Sequence, residues 1–498
     1  MDIEAFRKAG YAAIDRICDY YSTLQGRPVV PSVQPGFLTN ALPTSPPEVG
    51  EDFEVIADDF QKLIIPGLTH WQHPSFFAFF PTAGTFESML GDLLSSSVSN
   101  PGFNWLASPA CTELEMTMMD WCAKVLGLSD EFLNSSQTGG GVIQTSSSDA
   151  LLVITVAARA RYLREHPGTK LEDLVMYVSS QTHSMGVKTG LVFGLACRVL
   201  EVSADDEYGL RGAVVKKALE EDLANGKHPF LVVGSVGTTS SGAIDRVGEI
   251  GETLREYPSI WFHVDAAWAG VALSCPENRE IAQLASINKY VDSLGTNFHK
   301  WGLVNFDATM LWVRSREDLT EALEVTPPFL RTKQGDARAV VDYRNWNLGL
   351  GRRFRSLKVW FVLRSYGVEG FQKHIRKGIA LNNHFVSLVS ASPLFSLVAP
   401  PSFALTVFRL TPQTVLPVST APLTESLLND VNRALYVRIT ARPEILLTQT
   451  VLNGTVCLRF AVGATRTETE HVEMAWQLIQ EEAGVVVEEL KQRLASSG

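Results

Sequence analysis

The stretch Ser259–Gly270, SIWFHVDAAWAG, runs isoleucine, tryptophan, phenylalanine, histidine and valine together and stops on Asp265. A near-continuous apolar run that ends on a polar residue reads as a strand buried on both faces, the kind found inside parallel sheets. Working outward, DLVMYVSS (173–180), CRVLEVS (197–203), PFLVVGSVG (229–237) and DATMLWVRS (307–315) read the same way. Helical stretches alternate with them from about residue 86 to 357, which predicts an α/β domain with a mainly parallel central sheet.

Before this region, residues 3–24 carry Ile3, Phe6, Ala13, Ile14, Ile17 and Tyr21 at helical spacing, and six prolines follow between 26 and 50. That proline density favours extended chain, either as a linker or as an arm on a partner surface that buries Phe37 and Leu38. After it, the helical stretch 357–385, the strand FALTVFRL (403–410) and the hairpin signal VLNGTVCLRF (451–460) predict a smaller α+β domain. A final helix is expected from Glu468, and the Pro/Thr-rich segment 411–424 reads as a surface insertion. The expected division is an arm at 1–85, a large domain at 86–357 and a small domain at 358–498.

The chain has 498 residues, 45% hydrophobic, with a formal net charge of −11 and no dense basic run. Those features argue against nucleic acid and anionic membranes as partners. The start MDIEAFRKAG lacks a signal-peptide core, and the apolar run LLVITVAA (151–158) is too short to span a bilayer. Six cysteines show no CxxC or zinc spacing, so no metal site is expected. A cytoplasmic location is the resulting expectation.

Three stretches carry candidate chemistry. TGGGVIQTSSSDALL (138–152) places glycines and hydroxyls before a helix, either a phosphate cradle or a plain capped loop. Asp265 at a strand end needs a cationic or N–H partner, or else caps the next turn. Lys300, between His299 and Trp301, is a desolvated nucleophile or a snorkelling surface lysine. In combination they supply the anchors of pyridoxal 5'-phosphate: a Schiff-base lysine, an aspartate on the ring nitrogen and a phosphate cradle.

The motifs HPSFFAFFPT (73–82), FNWLASPACTELE (103–115), MMDW (118–121), GGGVIQTSSSDA (139–150), HVDAAWAG (263–270), NFHKWGLVNFD (297–307) and LGRRFRSLK (350–358) stand in one order along the chain. In them the sequence resembles the group II pyridoxal-phosphate decarboxylases, in the branch of aromatic L-amino acid decarboxylases and aromatic acetaldehyde synthases. The resemblance implies an aspartate-aminotransferase-like (fold type I) large domain, a small C-terminal domain and an N-terminal arm swapped across a homodimer. By position it implies Lys300 as the Schiff-base lysine, Asp265 as the ring-nitrogen partner and His183 stacked on the ring. It further implies Ser146, Ser147, Ser148 and Asn297 at the phosphate with His299 beside them, Thr239 near the ring oxygen, and Ala267 against one ring face. Trp71, Phe79, Phe80, Pro81, Thr82 and Phe103 resemble the aromatic substrate pocket, part of it from the partner. Gly351 matches a small residue found where relatives accept indole rings.

One departure concerns the product. In the decarboxylases of this branch a mobile loop (about 324–340 here) delivers a tyrosine that serves protonation of the substrate Cα. Anchored by Lys300 on one side and by VDYRNW (341–346) and LGRRF on the other, that position falls on Phe329 in EVTPPFLRT (324–332). Phenylalanine has no proton to give, and a carbanion left unprotonated can react with O2. The expectation is an aromatic acetaldehyde synthase acting on tryptophan or phenylalanine, with tyrosine or its catechol less favoured because Phe79 also lacks a hydroxyl. A simple decarboxylase releasing the amine is the alternative. An aminotransferase and a cofactor-binding pseudoenzyme are more distant ones.

Overall fold

The apolar runs condense into one seven-stranded sheet in a computed structural model that describes residues 1–337, 339–416 and 422–497. In chain order the strands are β1 (Gly140–Gln144), β2 (Leu174–Ser179), β3 (Ala196–Leu200), β4 (His228–Ser235), β5 (Trp261–Asp265), β6 (Ser293–Asn297) and β7 (Thr309–Val313). Their spatial order is β1-β7-β6-β5-β4-β2-β3. Strands β3, β2, β4, β5 and β6 pair in parallel, while β7 pairs antiparallel with both β1 and β6. The run 307–315 is therefore buried as expected but reversed in direction, because full burial produces the same apolar pattern for either orientation.

Two strands lie where the sequence reading saw motifs rather than strands: β1, inside the glycine run, and β6, just before Lys300. The glycines at and just before the start of β1 serve close packing. A Cβ on Gly139 would sit 1.8 Å from the Glu131 carbonyl oxygen, and one on Gly140 would sit 2.6 Å from Asn134 Oδ1. The carboxyl ends of β1, β2, β4, β5 and β6 lie on one side, where ligands bind in open α/β sheets.

A second, antiparallel sheet has the order β10-β11-β9-β8, from β8 (Phe395–Leu397), β9 (Leu405–Leu410), β10 (Thr448–Leu452) and β11 (Thr455–Ala461). Asn453 and Gly454 both take positive φ in the β10–β11 turn, as a type I′ hairpin requires. The helix Ser356–Ala391 leads into this sheet, with non-helical backbone at Gly367 (φ 62°). The segment 76–83 threads between the two sheets. Phe77 donates its N–H to the Leu446 carbonyl (2.8 Å), and its ring stacks on Phe460, which stacks in turn on Phe385 at 3.7 Å.

At the N-terminus the helix Ile3–Thr23 forms as expected, capped by Asp2, whose side chain accepts the Ala5 N–H. The proline-rich stretch is not extended throughout, since Phe37–Ala41 makes a short helix. The Phe37 ring fills the space beside Gly67, where a Cβ would lie 2.1 Å from it, and Leu38 is half-buried. The closing helix is Thr469–Ser497. Residues 417–421 of the 411–424 segment and Arg338 of the 324–340 loop lie outside the described residues. Among the described residues no helix is long and apolar enough to cross a membrane.

Candidate active site

Loops at the carboxyl ends of the central strands enclose one cavity. Its lining includes Ser146, Ser147, Ser148, His183, Thr239, Asp265, Ala267, Asn297 and Lys300. Residues separated by more than 150 positions thus meet because the strands that carry them are neighbours in the sheet.

The hydroxyl run opens the helix Ser147–Glu165. Ser146 is its N-cap and accepts the Asp149 N–H at 3.1 Å, so the capped-loop reading also holds for that residue. Ser147 donates its hydroxyl to Asn297 Oδ1 (2.7 Å), which also accepts from Thr309 (2.8 Å). This places the helix N-terminus and the end of β6 on a single amide. Asp265 ends β5, buried, and accepts the Ala267 N–H through Oδ1 at 3.0 Å. The Ala267 carbonyl in turn accepts the Asn297 N–H at 2.7 Å.

Burial pushes the Asp265 carboxyl above its usual range, opposed by the charges of Lys300 and His183. Burial pushes the Lys300 amine down, opposed by Asp265 and reinforced by Arg459. The Lys300 amine is thereby held toward its neutral, nucleophilic form. His183, at the cavity mouth, accepts the Met185 N–H through Nδ1 (3.2 Å). Partial burial of its ring lowers its pKa below 6.5, with Asp265 opposing and Lys300 adding to the effect. His299 is buried and turned away from this lining. Its Nδ1 accepts the Ala308 N–H (2.9 Å), its ring meets Phe306 edge-on, and burial brings its pKa down to about 4.

The residues expected around the substrate fall into three groups. Phe80 and Pro81 are buried, and Phe80 stacks at 4.7 Å on Trp268, which itself lines the cavity. Trp71 and Phe79 stack on each other at 5.4 Å with Phe79 half exposed, and the Thr82 carbonyl accepts from Gln72. Phe103, Phe329 and Gly351 are not brought to the cavity within one chain. Phe329 is 79% exposed, and Gly351 has nothing within 4 Å of an added Cβ.

The sequence reading missed Met185, Ser235, Gly237, Thr238 and Trp268 in the lining, and Arg459 behind it. Trp268 stood inside a quoted motif. Arg459 gave no signal, since one arginine in a hairpin strand nearly 160 residues from Lys300 is indistinguishable from a surface residue. It is 4% exposed, donates to the Phe79 carbonyl (3.1 Å) and the Thr448 hydroxyl (2.8 Å), and pairs with no carboxylate among the described residues.

This donor set fits pyridoxal phosphate. Hydroxyls at a helix N-terminus suit a phosphate, and a cationic ring nitrogen would supply the counter-charge that buried Asp265 requires. Ser235 Oγ and Trp268 Nε1 are buried without a partner among the described residues, although both residues line the cavity. Among the described residues no His/Cys/Asp/Glu group is arranged to hold a metal ion.

A family profile described as "Pyridoxal-dependent decarboxylase conserved domain" matches residues 35–411. Phenylacetaldehyde synthase of Arabidopsis thaliana is 43% identical over 490 residues, spanning 98% of this chain and 97% of that protein. Tryptophan decarboxylase 2 of Oryza sativa subsp. japonica is 42% identical over 490 residues, spanning 98% of this chain and 96% of that one. A crystal structure of Oryza sativa TDC with PLP and tryptamine matches with a TM-score of 0.93 at 38% identity, covering 97% of this chain and 98% of that chain.

Proposed function

The chain belongs to the pyridoxal-dependent decarboxylase family, and from that premise we propose that it converts an aromatic L-amino acid to the aryl acetaldehyde. The balanced reaction is amino acid + O2 + H2O → aldehyde + CO2 + NH3 + H2O2. Tryptophan and phenylalanine are the proposed substrates, with tyrosine or its catechol less favoured.

The observation that carries this reading is Phe329. It stands on the turn Pro328–Leu330 after two prolines, with its ring exposed and no hydroxyl. No tyrosine, histidine or cysteine occurs anywhere in 324–340. The nearest tyrosine along the chain, Tyr343, is buried and donates to the Gly141 carbonyl at 3.0 Å. His183 is the other candidate proton donor, and burial of its ring disfavours the protonated form. A general acid is worth roughly 10²–10⁴-fold, so without one the electron pair at Cα persists long enough to meet O2.

Pyridoxal phosphate, when bound, supplies the sink for the electron pair that remains as CO2 leaves. The rest falls to this chain's residues. Lys300 offers a neutral amine. Asp265 would hold a proton at the ring nitrogen, each pKa unit so held being worth about 1.4 kcal/mol. Ser147, Ser148 and Asn297 would hold the phosphate, and Ala267 and His183 would lie against the ring. Trp268, backed by Phe80, walls the cavity with apolar surface, where a carboxylate is poorly solvated and its loss as neutral CO2 is favoured.

A homodimer is part of the same proposal. Ile3, Phe6 and Tyr11 on the first helix, and Leu90, Leu93 and Val98 on the helix Phe86–Val98, expose large apolar side chains. Covering them with a second copy would also give Phe103 and Phe329 a cavity to reach.

The second reading is a simple decarboxylase, supported by relatives of nearly equal identity whose names carry that activity. The test is to supply L-tryptophan or L-phenylalanine in air and quantify CO2, amine, aldehyde and peroxide together. Aldehyde and peroxide in equal amounts support the proposal. Amine equal to CO2 with no peroxide overturns it in favour of the second reading.

A further inference from the structure

The motifs FNWLASPACTELE and LGRRFRSLK each hold a buried charged residue without a role above. Their members Glu115 and Arg352, 237 positions apart, meet in a buried ion pair. Arg352 Nη1 and Nη2 donate to Glu115 Oε2 and Oε1 at 2.9 and 2.6 Å, a bidentate fork with both side chains within 5% of full burial.

The pair is also bound to backbone. Glu115 Oε1 accepts the Ile143 N–H (2.8 Å), and Arg352 Nη2 donates to the Ile143 carbonyl (2.9 Å). Ile143 belongs to β1, which pairs with β7 alone. The carboxylate and guanidinium therefore satisfy the free edge of β1 as a neighbouring strand would. Three residues later the chain reaches Ser146–Ser148.

The same pair also holds segments that lie away from the cavity of its own chain. Arg352 donates its backbone N–H to Pro101 (2.8 Å) and its guanidinium lies 4.8 Å over the Tyr343 ring. The Arg344 N–H reaches the Phe103 carbonyl (2.9 Å), and the Trp105 N–H reaches Asp342 Oδ1 (3.0 Å). The segment leaving the 324–340 loop is thus laced to the segment that carries Phe103, and both are fastened to β1 at one point.

We propose that Glu115 and Arg352 are positioning residues, their fork setting the loop exit, Gly351 and Phe103 in fixed relation to the Ser146–Ser148 turn. For its kinetic arm the proposal rests on the decarboxylase reading of the site. A lysine at 352 keeps the charge but cannot form the fork. An apolar pair of similar volume removes the burial penalty without restoring it.

The experiment compares the parent holoenzyme with Arg352→Lys and with the double variant Glu115→Leu/Arg352→Met. It measures melting temperature, tryptic cleavage after Arg331 and Lys333, and kcat and KM for CO2 release. The double variant loses the burial penalty of two ions but leaves the Ile143 N–H and carbonyl without these partners, so its melting temperature is expected to fall. Both variants are expected to be cleaved faster and to raise KM by about tenfold with kcat changed less, since misplacing a binding wall by an ångström costs up to 10²-fold. Parent-like cleavage and KM in the double variant would overturn the proposal, as would losses that only follow melting temperature. If the parent releases no CO2, the decarboxylase reading fails and the cleavage comparison alone decides whether the fork fixes the loop.

Discussion

Arg459 on β11 donates to the carbonyl oxygen of Phe79 at 3.1 Å, across 380 positions of sequence. The contact fixes the small antiparallel sheet to the segment 76–83 and leaves a buried cation within electrostatic reach of Lys300. Burial lowers the guanidinium itself to about 10, so its charge is nearly complete at neutral pH.

Replacing Arg459 with glutamine should therefore raise the Lys300 pKa, because a positive neighbour that disfavoured the ammonium is gone. One unit of rise cuts the neutral amine fraction about tenfold. The rate of cofactor loading at pH 7, followed by absorbance, should fall accordingly, and its pH profile should move to higher pH. An unmoved profile would show that the two charges are screened from each other.

Asp245 supplies a stability prediction. It is fully buried, accepts the Leu210 and Ser235 N–H groups at 2.7 and 2.6 Å, and burial raises its pKa to about 7. A raised carboxyl contributes stability that is complete below its unfolded value near 3.8 and is lost as pH rises through the folded value near 7. Three pKa units correspond to about 4 kcal/mol. Urea midpoints at pH 5 and pH 7.5 should converge in Asp245→Asn relative to the parent. The same pH dependence in both proteins would remove Asp245 as its source.

The glycine run separates what the sequence disclosed from what it did not. Hydroxyls before a helix point in the sequence to a cradle or a capped loop, and Ser147 lines the cavity beside Asn297. The glycines before them belong to β1, where Trp312, Met119 and Trp346 leave no room for a Cβ. Close packing by residues far along the chain leaves no local trace, which is also why β7 ran opposite to expectation and Arg459 went unseen. What was legible had local chemistry: apolar runs, caps, the Asn453-Gly454 turn and the motif order.

Gly140→Ala should accordingly destabilise the fold by about 1–3 kcal/mol through overpacking, with cofactor affinity of the folded fraction unchanged. Ser148→Ala, at a hydroxyl that lines the same cavity, should do the reverse, weakening cofactor binding roughly tenfold for a lost phosphate hydrogen bond with little change in melting temperature. Equilibrium dialysis and thermal unfolding on both variants test the contrast. Cofactor loss in Gly140→Ala alone would return the glycines to the cradle.

Phe329 carries the proposal about the product. Its ring is exposed, so Phe329→Tyr should change stability by less than about 0.5 kcal/mol and add only a phenol. If that phenol protonates Cα, protonation gains roughly 10²–10⁴-fold while the reaction with O2 keeps its rate. A parent that forms mainly aldehyde would then become a variant that forms mainly amine, with peroxide falling in step and CO2 release continuing. The measurement is amine, aldehyde and peroxide from one reaction, in air and at reduced O2. An unchanged ratio in the folded, cofactor-loaded variant would mean that the missing proton is not the reason for the product, and that O2 is admitted by some other part of the cavity.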